Sequence, residues 1–375
     1  MKRRAFLIVL IVSVLIILVF LQAIVLSEDR LKGDNPEVFV GVDVAYANLD
    51  AIQKRVDEVS SYTNLFLIGS TGVTRNTTKL DMICQYVYDK GLFFIVYTES
   101  PLQSQWFEDA KIKWGERFLG FYFWDECAGK QLDLSDHRAV LEADNYTDAS
   151  NKFVRGVNRS LFFMNYAGSM TLPLFTSDYA LYWFVYKAGY DVVLAQFGWN
   201  YSRQLNVALC RGAATVQNKE WGVMITWTYN HPPYIESGPE LYQDLVLAYE
   251  NGAKYIVVFD SNENYTQGIL EEEHLEALKE FWKYANNNPR TNQDCSDRVA
   301  YVLPKDYGYG FRGPADKIWG LWEADEFSLE LSIDLGSKLE QYGNKLDIIY
   351  DGKNVLNDTS VYTQFMFCNG TTYCP

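Results

Sequence analysis

The chain is poor in histidine, with three residues in 375, and they are scattered as His137, His231 and His274. No HExxH pair and no CxxC pair occurs, so no spacing in the sequence marks a zinc site. Neither a P-loop nor a GxSxG elbow is present, which removes the usual sequence marks of phosphoryl transfer and of serine hydrolysis. Gly308, Gly310 and Gly313 match GxGxxG in form, but Pro314 follows at once and the next helix is expected only near Glu323. A dinucleotide fingerprint needs the helix to open on its glycines, so the stretch reads as a structural loop. Neither a metal nor a cofactor is expected. Basic residues are also short: 33 Lys and Arg stand against 48 Asp and Glu, a net charge of −15. No basic run follows Arg4. Nucleic-acid binding needs clustered cations against phosphates, so the composition argues against a DNA or RNA partner.

Against these absences stands one long charge-free run. "MKRR" precedes residues 5–26, "AFLIVLIVSVLIILVFLQAIVL". At 1.5 Å per residue this spans roughly 33 Å, enough to cross a bilayer core, with the basic stub of residues 1–4 on the cytoplasmic side. The exit, "LQAIVLSED", has no small-x-small cleavage site, which favours an uncleaved signal anchor over a cleaved leader. The expectation is a single-pass cell-membrane protein with residues 27–375 extracellular. Seven N-x-[ST] sequons, at Asn76, Asn145, Asn158, Asn200, Asn264, Asn357 and Asn369, all fall in that exported part and read as glycosylation acceptors. Export permits disulfides. Of the six cysteines, Cys368 and Cys374 form the nearest local pair; Cys84, Cys127, Cys210 and Cys295 are left open between buried thiols and bridges.

The length suits one large domain plus a small one. After a polar linker, residues 27–35, apolar runs rich in aromatic and β-branched residues recur at 38–45, 64–70, 91–99, 118–126, 160–168, 190–198, 221–229 and 253–261. Continuous rather than alternating hydrophobicity is the mark of parallel strands covered on both faces. Amphipathic stretches lie between them: Ile52, Val56 and Val59 share a helical face, as do Leu241, Leu245 and Tyr249, and His274, Leu278 and Phe281. Eight β-then-α units over residues 36–285 predict an α/β fold, a (β/α)8 TIM barrel, with an open doubly wound sheet as the alternative. The polar stretch 286–297 reads as a linker. Residues 298–375 then offer strand, Gly-rich loop, helix and strand, a small C-terminal α/β appendage.

Barrel sites form at the C-terminal strand ends. Strand 1 offers Asp43 and Tyr46, strand 3 Glu99, and strand 4 the pair Asp125 and Glu126. Strand 5 offers Asn165 and Tyr166, with Asp178 in its loop. Strand 6 offers Gln196 and Trp199. Strand 7 offers Trp227, Tyr229, His231 and, in its loop, Glu236; strand 8 ends on Asp260. Successive strand residues point to opposite sides, so one member of the Asp125–Glu126 pair is expected to face the centre, with Glu126 favoured. Carboxylates among aromatic rings fit glycoside hydrolysis, in which one acid protonates the leaving oxygen and a second acts as nucleophile or base. The chain is also aromatic-rich, with 27 Tyr and 10 Trp.

The strand "GFYFWDE" is similar to acid-bearing strands of the (β/α)8 glycoside hydrolase-like superfamily. The tail "YVLPKDYGYGFRGPADKIWGLWEADE" with "LDIIYDG" resembles the small α/β domain that follows such barrels in uncharacterised archaeal surface proteins, and is similar to the amidotransferase-like domain of some β-galactosidases. The resemblance covers most of residues 36–355 at the level of pattern. It implies a glycan substrate, catalytic carboxylates drawn from Glu126, Asp125, Asp178, Glu99, Asp260 and Glu236, and sugar contacts from Tyr46, Asn165, Tyr166, Gln196, Trp199, Trp227, Tyr229 and His231. It departs at strand 7, where the largest hydrolase clan carries a nucleophilic Glu and this chain reads "MITWTYNHPP", leaving only Glu236. The alternative expectation is therefore a catalytically silent glycan-binding or structural surface protein.

Overall fold

The computed structural model describes residues 30–99, 104–133, 138–166, 172–290, 297–352 and 361–374. The expected anchor over residues 5–26 lies outside them, as do His137, Cys295 and Asn357. No helix among the described residues is long and apolar enough to cross a membrane.

Eight parallel strands close into a barrel in sequence order: β1 Phe39–Val44, β2 Leu65–Ile68, β3 Phe93–Thr98, β4 Phe118–Phe123, β5 Leu174–Asp178, β6 Val192–Phe197, β7 Glu220–Ile225 and β8 Tyr255–Phe259. Pairing of β8 with β1, Tyr255 opposite Phe39 and Phe259 opposite Asp43, closes the ring. Helices run between the strands: α1 Leu49–Val59, α2 Thr71–Thr74, α3 Thr77–Asp89, α4 Ser104–Trp114, α5 Cys127–Leu132, α6 Tyr146–Tyr166, α7 Tyr182–Ala188, α8 Arg203–Val216, α9 Gly238–Glu250 and α10 Glu272–Asn287.

The unbroken hydrophobicity of the strands has a direct cause. In β2, Leu65 and Leu67 point into the barrel and Phe66 and Ile68 into the helical layer, so both sets are buried. Aromatic residues plug the N-terminal end of the interior. Phe39 stacks on Tyr255 with ring centres 5.0 Å apart, and Phe93 and Phe175 meet the pair edge-on. Only the opposite end, where the strands terminate, is left open.

Three features differ from the sequence reading. The fifth apolar run, 160–168, is not a strand: residues up to Tyr166 belong to α6, and β5 begins at Leu174. The helix is specified upstream. Asn145 accepts from the Asp148 amide at 3.0 Å, a helix-start cap. Ala149, Phe153, Val157 and Leu161 then fall four apart and are all buried, the helical period that outweighs a short apolar run. Asn165 and Tyr166 therefore lie in the last turn of the helix leading into β5, at the plugged end of the barrel. Second, the appendage is larger than one βαβ unit. It is a four-stranded sheet ordered β10-β9-β11-β12, with β9 Arg298–Leu303, β10 Leu346–Tyr350, β11 Tyr362–Phe367 and β12 Thr372–Tyr373, plus helix α11, Glu326–Tyr342. Third, Cys368 and Cys374 are free thiols. Phe365 opposes Tyr373 in the β11–β12 hairpin, so by register Cys374 faces Gln364. Cys368 then sits about four residues along, roughly 13 Å away, beyond the reach of a disulfide.

The appendage and the barrel share one core. Arg211 of α8, buried, donates to Asp347 Oδ1 of β10 at 2.7 Å, to Asn251 Oδ1 at 2.7 Å and to the Asn344 carbonyl at 2.7 Å. Phe184 of α7 packs on Trp319 and Tyr350 at ring distances of 4.6 and 5.0 Å. Gly212 leaves no room for a side chain, since a Cβ there would stand 2.5 Å from the Ile348 carbonyl oxygen. Gly212→Ala is expected to destabilise the whole chain by about 1–3 kcal/mol, the range of overpacked cores. Urea unfolding checks it; a loss near zero would mean that the contact is soft.

Candidate active site

β4 delivers the acid pair, but the strand has ended before it. After Phe123 the chain turns through left-handed conformations at Trp124, φ 47°, and Glu126, φ 57°, each of which costs a non-glycine residue about 1–2 kcal/mol. The turn is clamped by β5. Thr176 Oγ1 donates to the Trp124 carbonyl at 3.1 Å, and the Glu126 amide donates to the Ser177 carbonyl at 3.0 Å. Asp178 accepts the amides of Ala128 and Gly129, at the start of α5, at 2.7 and 2.8 Å. Strand alternation no longer applies past Phe123, and Asp125 and Glu126 both line the open end of the barrel. This corrects the expectation that one member alone would face the centre.

The opening is a cavity of about 800 Å³. Its acids are Asp43, Glu99, Asp125, Glu126 and Asp133, and Tyr97, Tyr122, Tyr179, Trp199, Tyr201, Trp227, Phe259 and Tyr265 supply its rings. A hydrogen-bonded chain fixes the acid pair. The hydroxyls of Tyr122 and Ser177 donate to Asp125 Oδ1, the latter at 2.6 Å. Gln196 Nε2 donates both to Ser177 Oγ at 2.8 Å and to Glu126 Oε1 at 3.0 Å. Burial, and next the Asp125 charge, push the Glu126 carboxyl up to about 7, although Lys130, 3.6 Å from Oε2, pulls the other way. Asp43 is 3 % exposed, and its Oδ1 has no hydrogen-bond partner among the described residues. Burial, then the charges of Asp125 and Asp260, raise it well above the usual carboxylate range. It fits only because residue 69 is glycine: a Cβ there would lie 2.2 Å from Asp43 Oδ1. Burial followed by the same Asp125 charge raises the hydroxyls of Tyr97, Tyr122 and Tyr265, so acids and rings share one electrostatic environment.

Other sequence candidates lie elsewhere. Asp178 is the last residue of β5 rather than part of its loop; it is fully buried on backbone amides, and burial pushes it up to about 7. Asp260 accepts the amides of Ile269 and Leu270 at 2.6 and 2.9 Å, pairs with Arg55 Nε at 2.7 Å and receives the Tyr46 hydroxyl at 3.4 Å. Asp260, Asp178 and Tyr46 hold loops in place and do not line the cavity. Glu236 is buried behind β7, where Arg203 Nη2 approaches to 3.1 Å; burial, then the Asp244 charge, push it up to about 8. Tyr229 and His231 stack on one another in an exposed loop off the cavity. His274 is packed, with Nε2 2.9 Å from the Glu236 carbonyl. Glu99 stands at the rim, ion-paired with Arg75. Gln196, Trp199 and Trp227 do line the cavity. The sequence reading missed Tyr97, Tyr122, Asp133, Tyr179, Tyr201 and Tyr265, and it saw Asp43 without choosing it. Tyr97 and Tyr122 had a usable signal, since each stands in the last residues of an apolar strand.

All six described sequon asparagines are exposed. Asn76 and Asn145 cap helices, and Asn158 Nδ2 donates to the Ala188 carbonyl at 2.9 Å. Asn200 and Asn264 neighbour the rim residues Trp199, Tyr201 and Tyr265 in sequence. No group of three or more metal-ligating side chains occurs among the described residues.

No protein-family profile matches the chain, and no curated protein matches it. Solved structures with a related course of chain include an endoglucanase, at 10% identity over 66% of this chain and 98% of that one, TM-score 0.39. A GH26 β-mannanase from Bacteroides ovatus matches at 12% identity over 68% and 92%, TM-score 0.43. A 3-deoxy-D-arabino-heptulosonate 7-phosphate synthase from Thermotoga maritima matches at 10% identity over 67% and 87%, TM-score 0.34. At such identity and overlap none of them assigns chemistry to this chain.

Proposed function

We propose that the barrel mouth is a glycan-hydrolysing site of a membrane-anchored, extracellular protein. The observation that carries this is the adjacent pair Asp125 and Glu126: both open onto one aromatic-lined cavity, each fixed by a different set of partners. Glu126, held near neutrality, retains a proton to give to the leaving glycosidic oxygen. As the C–O bond breaks, positive charge grows on the sugar ring, and Asp125, oriented by two hydroxyls, is the carboxylate placed to meet it. Water supplies the hydroxyl of the product; its proton is taken up by the carboxylates, which restores Glu126. Asp43, whose burial favours the protonated form, lines the same cavity and would meet a sugar hydroxyl. Tyr and Trp rings supply apolar faces for the sugar. The left-handed backbone at Glu126, Trp199 and Tyr265, three cavity residues, fits this role, since strain of this kind gathers at functional sites.

A second reading, glycan binding without turnover, is favoured by one feature: β7 ends without an acid, and the acids of β5 and β8 are committed to backbone amides. A panel of neutral and amino-sugar oligosaccharides and aryl glycosides separates the two. Hydrolysis by the wild type that is lost in Asp125→Asn, with the Tm kept, is the expected result. Binding without release of reducing ends would establish the second reading.

A further inference from the structure

The Gly-rich loop of the appendage, unused by the chemistry above, reaches the cavity wall. Trp319 folds back on it, its amide donating to the Gly308 carbonyl at 2.7 Å, and Gln131 of α5 donates to the Trp319 carbonyl at 2.9 Å. This brings Arg312 behind the wall. Its guanidinium grips Asp316 through Nε at 3.0 Å and Nη2 at 2.7 Å, and it gives Nη1 to Asp133 Oδ1 at 2.8 Å. The guanidinium carbon also lies 5.5 Å from the Tyr179 ring centre. The Tyr179 hydroxyl donates to the other Asp133 oxygen at 2.5 Å, and its ring stacks near Tyr201 at 6.3 Å and 26°. Asp133, Tyr179 and Tyr201 all line the cavity, whereas Arg312 does not.

We infer that this wall is a second sugar subsite, locked from behind by the appendage, so that the site takes a chain of at least two sugar residues rather than one. The inference rests on the glycan reading and deepens it. Two tyrosine rings held in one orientation form a preorganised apolar face. Asp133 has half of its side chain exposed, with its charge balanced by Arg312, and so presents acceptors for sugar hydroxyls. A cavity of about 800 Å³ lies toward the upper end of the range for small-molecule sites, roughly 300–1,000 Å³, which leaves room beyond a single ring at Glu126. As a stability device alone, an ion pair this open would contribute little.

Calorimetry on the full chain carrying Glu126→Gln, chosen to slow turnover, tests this with glucose, mannose and N-acetylglucosamine and with their β-1,4-linked tetramers. One tetramer should bind at least about ten-fold tighter than its monomer, the scale of an added stacking contact. Arg312→Gln and Tyr179→Ala should bring that ratio toward one. Arg312→Lys should give an intermediate ratio, because lysine cannot make the forked contact. Tyr179→Phe, which keeps the ring and loses the Asp133 bond, should lower the ratio at unchanged Tm and guards against a folding artefact. An unchanged ratio in Arg312→Gln and Tyr179→Phe, or equal binding of monomer and tetramer to the parent protein, overturns the subsite and leaves the glycan reading standing. Failure of every sugar of either length to bind overturns both.

Discussion

On the proposed function, Glu126→Gln is expected to lower glycan turnover by about 10²–10⁴-fold, the usual contribution of a positioned proton donor. The amide keeps the shape and the Gln196 contact but has no proton to give. In the wild type the same group is expected to set the alkaline limb of the rate profile. With its carboxyl pushed up to about 7 by burial and by Asp125, the protonated form falls away as the pH rises through that value, and turnover falls with it. Asp125→Asn removes the second-largest cause of the shift, so the alkaline decline of any residual activity in that variant should begin at a lower pH than in the wild type. Stability moves the opposite way to activity. A carboxyl whose folded value lies above its unfolded one disfavours the folded state once it must ionise. Glu126→Gln is therefore expected to raise Tm above pH 7, with the difference vanishing near pH 4, where both states are protonated. Paired pH-rate and pH-Tm profiles check the two signs together. A rate drop of less than ten-fold, or a variant less stable than wild type at pH 8, would remove Glu126 from the chemistry.

The second large effect lies far from the mouth. Arg211→Ala destabilises the chain by about 3–5 kcal/mol, the range for breaking a buried ion pair from one side. Among the described residues Asp347 would keep Arg298, at 3.3 Å, and the Tyr362 hydroxyl, at 2.9 Å, while Asn251 would lose its charged donor. Because Phe184, Trp319 and Tyr350 join the two sheets in one core, the loss is expected to shift a single cooperative urea transition to lower denaturant. Separate unfolding of the appendage, with the barrel midpoint unmoved, would show instead that the two are independent units.

The barrel was legible in the sequence because burial of both strand faces writes continuous apolar runs, as at residues 38–45, 64–70 and 253–261, recurring eight times at a steady spacing. The run at 160–168 misled because a short apolar stretch carries no period of its own. The signal lay in the Asn145 cap and the four-residue spacing from Ala149 to Leu161. At the site, Glu126, Gln196, Trp199 and Trp227 were readable as strand-end residues, and Asp178 and Asp260 looked identical to them. What separates the two groups is tertiary: Asp178 is held by the amides of Ala128 and Gly129 and Asp260 by those of Ile269 and Leu270, pairings that no composition records. Conversely, Tyr179, Tyr201 and Tyr265 lie just past strands or in loops, where a tyrosine is unremarkable until the fold gathers it. The Arg312 contact joins positions 179 residues apart, a separation beyond any local pattern.

The most direct test is a crystal structure of the Glu126→Gln variant with the tightest-binding oligosaccharide of the panel, at a concentration that saturates it in solution. The expected density places a glycosidic oxygen within about 2.6–3.2 Å of the side chain at position 126, with the adjoining sugars between Asp125 and the Tyr179 wall. An empty mouth, or a sugar bound only elsewhere on the barrel, would contradict it.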